Sequence, residues 1–329
     1  MSSLKDDSVK LEVLALNARD LTRQAISNML DIPVTTIKDF LLRKTYNKWW
    51  DKYDPEHQNA DVSYLLDGNG PNILTLDIET APIKAYLWGL WQQNVGLNGI
   101  QSDWYILSWS AKWFHQDEVM YEDKRDSYKD EDDYELLQNI WKLLDEADII
   151  ITQNGKKFDA KKLNARFILN GMGPPSSYRH IDTLQEAKKH FGFTSNKLEY
   201  MTDKLCKKYK KLKHSKFAGL DLWVECLAGN PEAWNEMEVY NIHDVLSLEE
   251  LYTIMRPYMR SHFNFNLYFS DNKLRCVCGN EDFTHNGYHY TNLSKFDRFA
   301  CTKCGHEHRG RVNLLSKEKR ETLGMNVLV

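Results

Sequence analysis

The sequence predicts an α/β protein, a mixed β-sheet with flanking helices, preceded by a small helical module and followed by a cysteine-rich one. Three observations carry this. Between residues 72 and 183, short runs rich in Ile, Leu and Thr alternate with segments whose apolar residues recur at helical spacing. From there to about residue 262 only helical patterns follow. Four of the six cysteines then fall between residues 276 and 304. Strands, then alternating strands and helices, then helices, is the order of a layered mixed sheet.

The elements read as follows. Val9, Leu11, Val13, Leu14 and Leu16 make a short apolar helix. Leu21–Leu30 repeats the helical pattern, with Thr22 placed to cap it. DIPV is a turn, and Thr35–Lys44 a further helix opened by polar residues. Helix, tight turn and helix resemble the helix-turn-helix of small DNA-binding regulators, which puts Thr35, Thr36 and Lys38 toward a groove or phosphates. A plain helical hairpin packed on the next domain fits the same pattern. Residues 1–45 form this module, and the polar, turn-rich stretch 46–70 is a linker. The main domain spans 71–262. Its strands are NILTLDIET (72–80), WYILSWSAKWF (104–114), VMYE (119–122), DIIITQN (148–154) and HIDT (180–183). Its helices include YELLQNIWKLLDEA (134–147) and KKLNARFILNGM (161–172). The cysteine module covers 272–312, and 313–329 is a tail expected to be ordered in part.

Bulk properties limit the function. The 329 residues are 42% hydrophobic and 27% charged, as in ordinary soluble domains. No apolar run reaches 18 residues, so no membrane span or membrane partner is expected. The N-terminus lacks the apolar stretch of a signal peptide, which predicts a cytoplasmic protein, of a bacterium or a phage-infected host. Net charge is −4, so nucleic-acid binding cannot come from a global positive balance and needs local patches. Residues 117–135 are strongly acidic, whereas 204–216 (KLCKKYKKLKHSK) hold no acid. Each run also fits a solvated face.

Asp77 and Glu79 stand two apart in a strand, hence on one face. Two carboxylates on a largely apolar strand need compensation, and a hard divalent cation supplies it. Asp159 follows the strand DIIITQ; alone it reads equally as a helix cap before KKLNARF. Tyr240 and Asp244 are four apart in the helical pattern MEVYNIHDVLSLEELY, stacked on one face, although Asp244 alone fits a surface acid. Together the segments LDIET, NGKKFD and YNIHD resemble, in order and spacing, the three motifs of the DEDD superfamily of 3′→5′ exonucleases. NGKKFD is similar to the form found in family B DNA polymerase proofreading domains, and the module combination is similar to phage exonucleases. Tyr240, where another subclass carries His, places the resemblance in the Tyr subclass and leaves His243 a bystander.

That resemblance implies a ribonuclease H-like fold over about residues 71–258 and a two-metal site. Asp77, Glu79, Asp159 and Asp244 would hold two Mg²⁺ or Mn²⁺ about 3.5–4 Å apart. Asp77 would bridge them, Glu79 and Asp244 would complete the nucleophile-side ion, and Asp159 would serve the other. Tyr240 would orient the attacking water. The implied reaction hydrolyses the terminal phosphodiester of single-stranded DNA to nucleoside 5′-monophosphates. The substrate is a single strand or the 3′ end of a duplex, with a separate DNA polymerase or replication protein as a possible partner. Asn154 and Phe158 are candidate substrate contacts, although Phe158 also fits the core. Asp182 and Thr183 resemble a pair that supports structure in related exonucleases. Lys207, Lys208, Lys210 and Lys211 can follow the phosphate backbone, with Tyr209 stacking on a base. An RNA 3′-exonuclease, or a non-catalytic DNA-binding regulator or recombination accessory, remain alternative functions.

Cys206 and Cys226 read as isolated thiols. Cys276, Cys278, Cys301 and Cys304 form two Cys pairs, each ending in Gly, the pattern of a zinc ribbon holding one structural Zn²⁺. The first pair is Cys-x-Cys, which leaves the ligand set open to His306 or His308. Arg298, Lys303, Arg309 and Arg311 around it are candidate phosphate contacts.

Overall fold

The run ILTLDIET forms β1 (Ile73–Thr80), the central strand of a five-stranded sheet. Its even-numbered side chains Leu74, Leu76 and Ile78 are buried under helices, whereas Asp77 and Glu79 point to the opposite face. The computed structural model describes residues 9–10, 13–14, 23–30, 32–42, 70–89, 91, 94–114, 116–209, 216–260 and 262–324. The chain divides into two compact units, Met1–Tyr252 and Thr253–Val329.

In the first unit β2 (Lys84–Ala85) and β3 (Ile100–Ser102) form a separate two-stranded hairpin, which the residue pattern did not predict. Then come β4 (Ile106–Trp113) and β5 (Met120–Asp123), both antiparallel neighbours in the main sheet. Helix α3 is Tyr134–Glu146, β6 is Ile149–Thr152, α4 is Asp159–Leu169 and β7 is Arg179–Asp182. The sheet order is β5-β4-β1-β6-β7, with β1–β6 and β6–β7 parallel. The continuous run Ile149–Ile151 suits a parallel strand covered on both faces. Helices α5 (Thr183–His190), α6 (Leu198–Leu205), α7 (Asp221–Leu227) and α8 (Pro231–Met255) follow.

Two apolar layers sandwich the sheet. On one face Leu74, Leu76 and Ile78 pack with Leu136, Leu137 and Ile140 of α3 and with Leu163 and Phe167 of α4. On the other, Tyr105 and Leu107 pack with Leu222 and Cys226 of α7 and with Trp234 and Met237 of α8. A register shift between Glu79 and Thr80 ends the regular β1–β4 pairing beside the acids. Fully buried Asp133 ties three elements: it accepts from Ile106 N at 2.8 Å and forms a two-point ion pair with Arg166 of α4 at 2.6 and 2.8 Å. Such a buried pair is costly to break because it strands a charge.

The N-terminal helices are those the pattern predicted, with α1 at Arg23–Leu30 and α2 at Val34–Leu42. Val13, Leu14, Ile26, Ile32, Ile37, Phe40 and Leu41 form their own small core. Lys38, expected to face DNA, instead pairs with Asp148 at 2.7 Å, and Arg23 donates to Glu146 O at 2.9 Å. The Lys38 ammonium is therefore drawn to a carboxylate of the α3–β6 junction. Thr35 is exposed and Thr36 half-buried. Thr22, nearly all of the 46–70 stretch, Lys210 and Lys211 lie outside the described residues.

In the second unit β8 (Phe283–Thr291), β9 (Ser294–Cys301) and β10 (Glu307–Arg309) form an antiparallel sheet in the order β10-β9-β8. A short helix, α9 (Lys317–Glu321), capped by Ser316, lies in the stretch read as a tail.

Candidate active site

Three elements bring the acids together. β1 carries Asp77 and Glu79, the start of α4 carries Asp159, and the middle of α8 carries Tyr240 and Asp244. The Ile78 amide donates to Asp159 Oδ1 at 3.2 Å, which holds the α4 acid against the strand. Glu79 accepts from Trp223 Nε1 of α7 at 3.1 Å. The Trp223 ring meets the Tyr240 ring edge-on, with centroids 6.2 Å apart. The Tyr240 hydroxyl hydrogen-bonds Asp244.

The second motif is shaped by backbone constraints. Asn154 adopts a left-handed conformation with φ 66°, and its amide donates to Asp182 Oδ1 at 3.0 Å. Lys156 N donates to the other Asp182 oxygen, and Asp182 also caps α5 through Leu184 N and Gln185 N. A Cβ on Gly155 would lie 2.2 Å from Thr152 Oγ1, so only glycine fits this turn. Thr183 Oγ1 donates to Thr152 O at 2.9 Å. Asp182 and Thr183 thus hold the loop that delivers Asp159.

Electrostatics follow from burial and crowding. Burial raises the Asp77 carboxyl well above its usual range, and Asp159, Glu79 and Asp244 raise it further. Burial, then Asp244, pushes Glu79 up to about 8, although the Trp223 hydrogen bond opposes the rise. Burial pushes Asp159 and Asp244 each to about 7. Among the described residues, no Lys or Arg acts as a main counter-charge to any of the four. Buried, crowded carboxylates with no main counter-charge among the described residues suit hard divalent cations. Burial and the neighbouring acids push the Tyr240 phenol upward, so it stays protonated.

Asn241 was missed by sequence reasoning. Fully buried, it donates to Asp77 Oδ2 at 2.6 Å and accepts from Ser108 Oγ at 3.2 Å through its side chain, while its carbonyl accepts from Ser110 Oγ at 2.7 Å. It docks α8 on the sheet and holds Asp77. A signal existed: Met237, Asn241, Val245, Leu248 and Tyr252 form one buried stripe, and Asn is the polar residue in it. Trp223 had no such signal, since it lies in a different helix from every motif.

The family model for the RNase_H superfamily (RNase_H_2) matches residues 74–256, more than half of the chain. The chain belongs to the RNase H superfamily. The span matched to this superfamily contains all four acids, Tyr240, Asn241 and Trp223, and excludes both the N-terminal helices and the cysteine cluster. Among solved structures, the chain is similar to the family B DNA polymerase from the hyperthermophilic archaeon Pyrobaculum calidifontis. The identity is 13% and the TM-score 0.41, over 60% of this chain and 27% of the polymerase chain. The chain thus spans about a quarter of that polymerase's length. No curated protein matches it in sequence.

Other candidate residues sit around this centre. Phe158 is partly exposed, not in the core, and its ring lies 5.7 Å from Lys162 Nζ. The amides of Lys207, Lys208 and Tyr209 all donate to the Glu250 carboxylate of α8 at 2.7–3.2 Å, which fixes this part of the basic run beside the third motif. Tyr209 meets His243 edge-on at 6.2 Å.

In the second unit the Sγ atoms of Cys276, Cys278, Cys301 and Cys304 all lie within 4.8 Å of one another. The Cys276–Cys304 and Cys278–Cys301 separations are 3.4 and 3.6 Å. Zn–S bonds of about 2.3 Å in a tetrahedron place sulfurs about 3.8 Å apart, so the cluster is compatible with a zinc ribbon. Gly279 (φ 85°) and Gly305 (φ 76°) make the two turns, with Gly279 N donating to Cys276 O and Gly305 N to Cys301 O. Four sulfurs converge without a histidine: His306 Nδ1 contacts Pro257 O at 2.7 Å, and the His308 ring packs on Phe283. Cys206 and Cys226 are buried, and burial pushes both thiols up to about 12.

Proposed function

We propose that this chain is a metal-dependent 3′→5′ exonuclease acting on single-stranded DNA. The observation that carries the reading is that β1, α4 and α8 bring Asp77, Glu79, Asp159 and Asp244 into one buried, mutually repelling group, with no cationic side chain among the described residues as their main counter-charge. Two Mg²⁺ or Mn²⁺, when bound, would supply an activated water and charge stabilisation at the leaving 3′-oxygen. Asp77, which feels all three other acids, would serve both ions. Glu79 and Asp244 would share one ion, and Asp159, held by the Ile78 amide, would serve the other.

Tyr240 acts as a donor and not as a base. Its phenol stays protonated at neutral pH and lies beside Asp244, where it can orient the attacking water. Asn241 and Trp223 keep their N–H groups on Asp77 and Glu79 and so fix the side chains that hold the ions. The products would be nucleoside 5′-monophosphates. The cysteine cluster takes one structural Zn²⁺, because four protein ligands leave no open position. The Lys207–Tyr209 segment would follow the substrate backbone.

The test uses 5′-labelled and 3′-labelled DNA and RNA oligonucleotides with Mn²⁺. Stepwise shortening of the 5′-labelled DNA, absent in EDTA and in Asp77→Ala, is the expected result. Products shortened from the 5′ end, or a preference for RNA, would overturn the assignment, and clean protein that binds duplex without degrading any strand would make it a regulator.

A further inference from the structure

We infer that the β2–β3 hairpin is a stacking platform for unpaired bases of a nucleic-acid strand, a reading that rests on the proposed nuclease function. The hairpin leaves directly from the strand that carries Asp77 and Glu79. Lys84↔Ser102 and Ala85↔Ile100 pair, and Tyr86 N closes on Gly99 O at 2.9 Å. Gln101 Nε2 donates to the Tyr86 hydroxyl at 2.6 Å. The structure is therefore built, yet its large apolar side chains face solvent. Trp88 is 103% exposed, Trp91 84% and Leu97 87%. Among the described residues Trp88 is the most exposed large hydrophobic side chain. Apolar side chains of this size exposed on one hairpin mark an interaction site.

Charge and geometry select the occupant. Residues 81–102 contain no Asp or Glu and one Lys, in a chain with 47 acidic residues and a net charge of −4. An acid-free segment leading from an acidic centre suits a polyanion whose reacting end is drawn in by cations. Lys84 stands five positions after Glu79, so the base of the hairpin lies within about 17 Å of the Glu79 backbone. A strand held at its terminus in the site would need only a few nucleotides to reach the base of the hairpin. Tyr86, Leu87, Trp88, Asn94, Val95 and Asn98 border a cleft of about 600 Å³. That volume lies within the roughly 300–1,000 Å³ of ligand sites, and the cleft mixes apolar faces with amide groups. Stacking on aromatic faces is tolerant of sequence, which fits a nuclease that must accept any base.

The experiment compares the full chain with Trp88→Ala/Trp91→Ala and with Trp88→Phe/Trp91→Phe. Affinity for fluorescein-labelled dT12 is read by anisotropy on the zinc-loaded protein without added Mn²⁺, which withholds the ions that support cleavage. Hydrolysis of dT12 and of thymidine 5′-(p-nitrophenyl phosphate) is read separately in Mn²⁺. The Ala pair is expected to bind dT12 at least about tenfold more weakly, and the Phe pair within about threefold of wild type. The small ester should be cleaved equally by all three, so the advantage of the longer substrate disappears only in the Ala pair. Equal dT12 affinity in wild type and the Ala pair would overturn the platform, as would a wild type that does not bind dT12. A wild-type dimer converted to monomer by the Ala pair, with affinity unchanged, would assign the hairpin to a second copy of the chain and overturn it too. A wild type that cleaves neither substrate but binds dT12 through the tryptophans would sink the nuclease reading and leave the platform standing.

Discussion

Replacing Glu79 by Gln should stabilise the metal-free protein at alkaline pH and weaken it once metal is added. The folded protein holds the Glu79 carboxyl at about 8, against 4.5 in an unfolded chain. Below pH 4.5 both states carry the proton and no penalty arises. As pH rises, the unfolded chain ionises first, so stability falls until about pH 8 and is level above it. A gap of that size corresponds to at most about 5 kcal/mol, and partial hydration of a half-buried carboxylate brings the expected effect to about 2–3 kcal/mol. Gln keeps an acceptor for the Trp223 N–H and carries no charge. Urea denaturation in EDTA at pH 4.5 and pH 8.5 should therefore give near-equal stability for wild type and variant at the lower pH. At the higher pH the variant should gain about 2–3 kcal/mol. Millimolar Mn²⁺ should reverse the order, since wild type gains binding energy that the variant lacks. A variant equally destabilised at both pH values in EDTA would refute the account of an uncompensated acid cluster.

Three further outcomes follow from single contacts. Asn241→Ala strands Ser108 Oγ and frees Asp77, and should cost about 2–3 kcal/mol in denaturation with a matching loss of activity; an unchanged midpoint contradicts the docking role. Gly155→Ala drives a methyl group into buried Thr152, 2.2 Å from its hydroxyl, and should lower stability by several kcal/mol or move the Asp159 loop, read as lost Mn²⁺ affinity. Cys278→Ser should lower zinc content from one ion per chain, measured by atomic absorption, whereas Cys206→Ser should leave it unchanged.

Much of the site was legible because its signals are local. Asp77 and Glu79 share a face by strand period, and Tyr240 and Asp244 share one by helical period. β1, β4, β6, α3 and α4 appeared within a few residues of their predicted limits for the same reason. What escaped depends on tertiary placement. Trp223 reaches Glu79 from a helix with no motif, and no spacing connects residues 144 apart. Asn241 lies between Tyr240 and Asp244, the residues that carry the third motif, although its place in a buried stripe marks it. Lys38 read as a DNA contact because its partner, Asp148, is 110 residues away. The β2–β3 hairpin was missed because its strands are short and its apolar residues face water, against the rule that alternation follows burial.

The proposed function requires Asp77, Glu79, Asp159 and Asp244 to form one site for two divalent cations. Titration of the EDTA-stripped, dialysed protein with Mn²⁺, followed by electron paramagnetic resonance, tests it most directly. Wild type should bind two Mn²⁺ per chain with the spectral signature of a coupled pair. Asp77→Ala should lose that coupling and at least one ion. Identical stoichiometry and identical spectra for the two proteins would contradict the account.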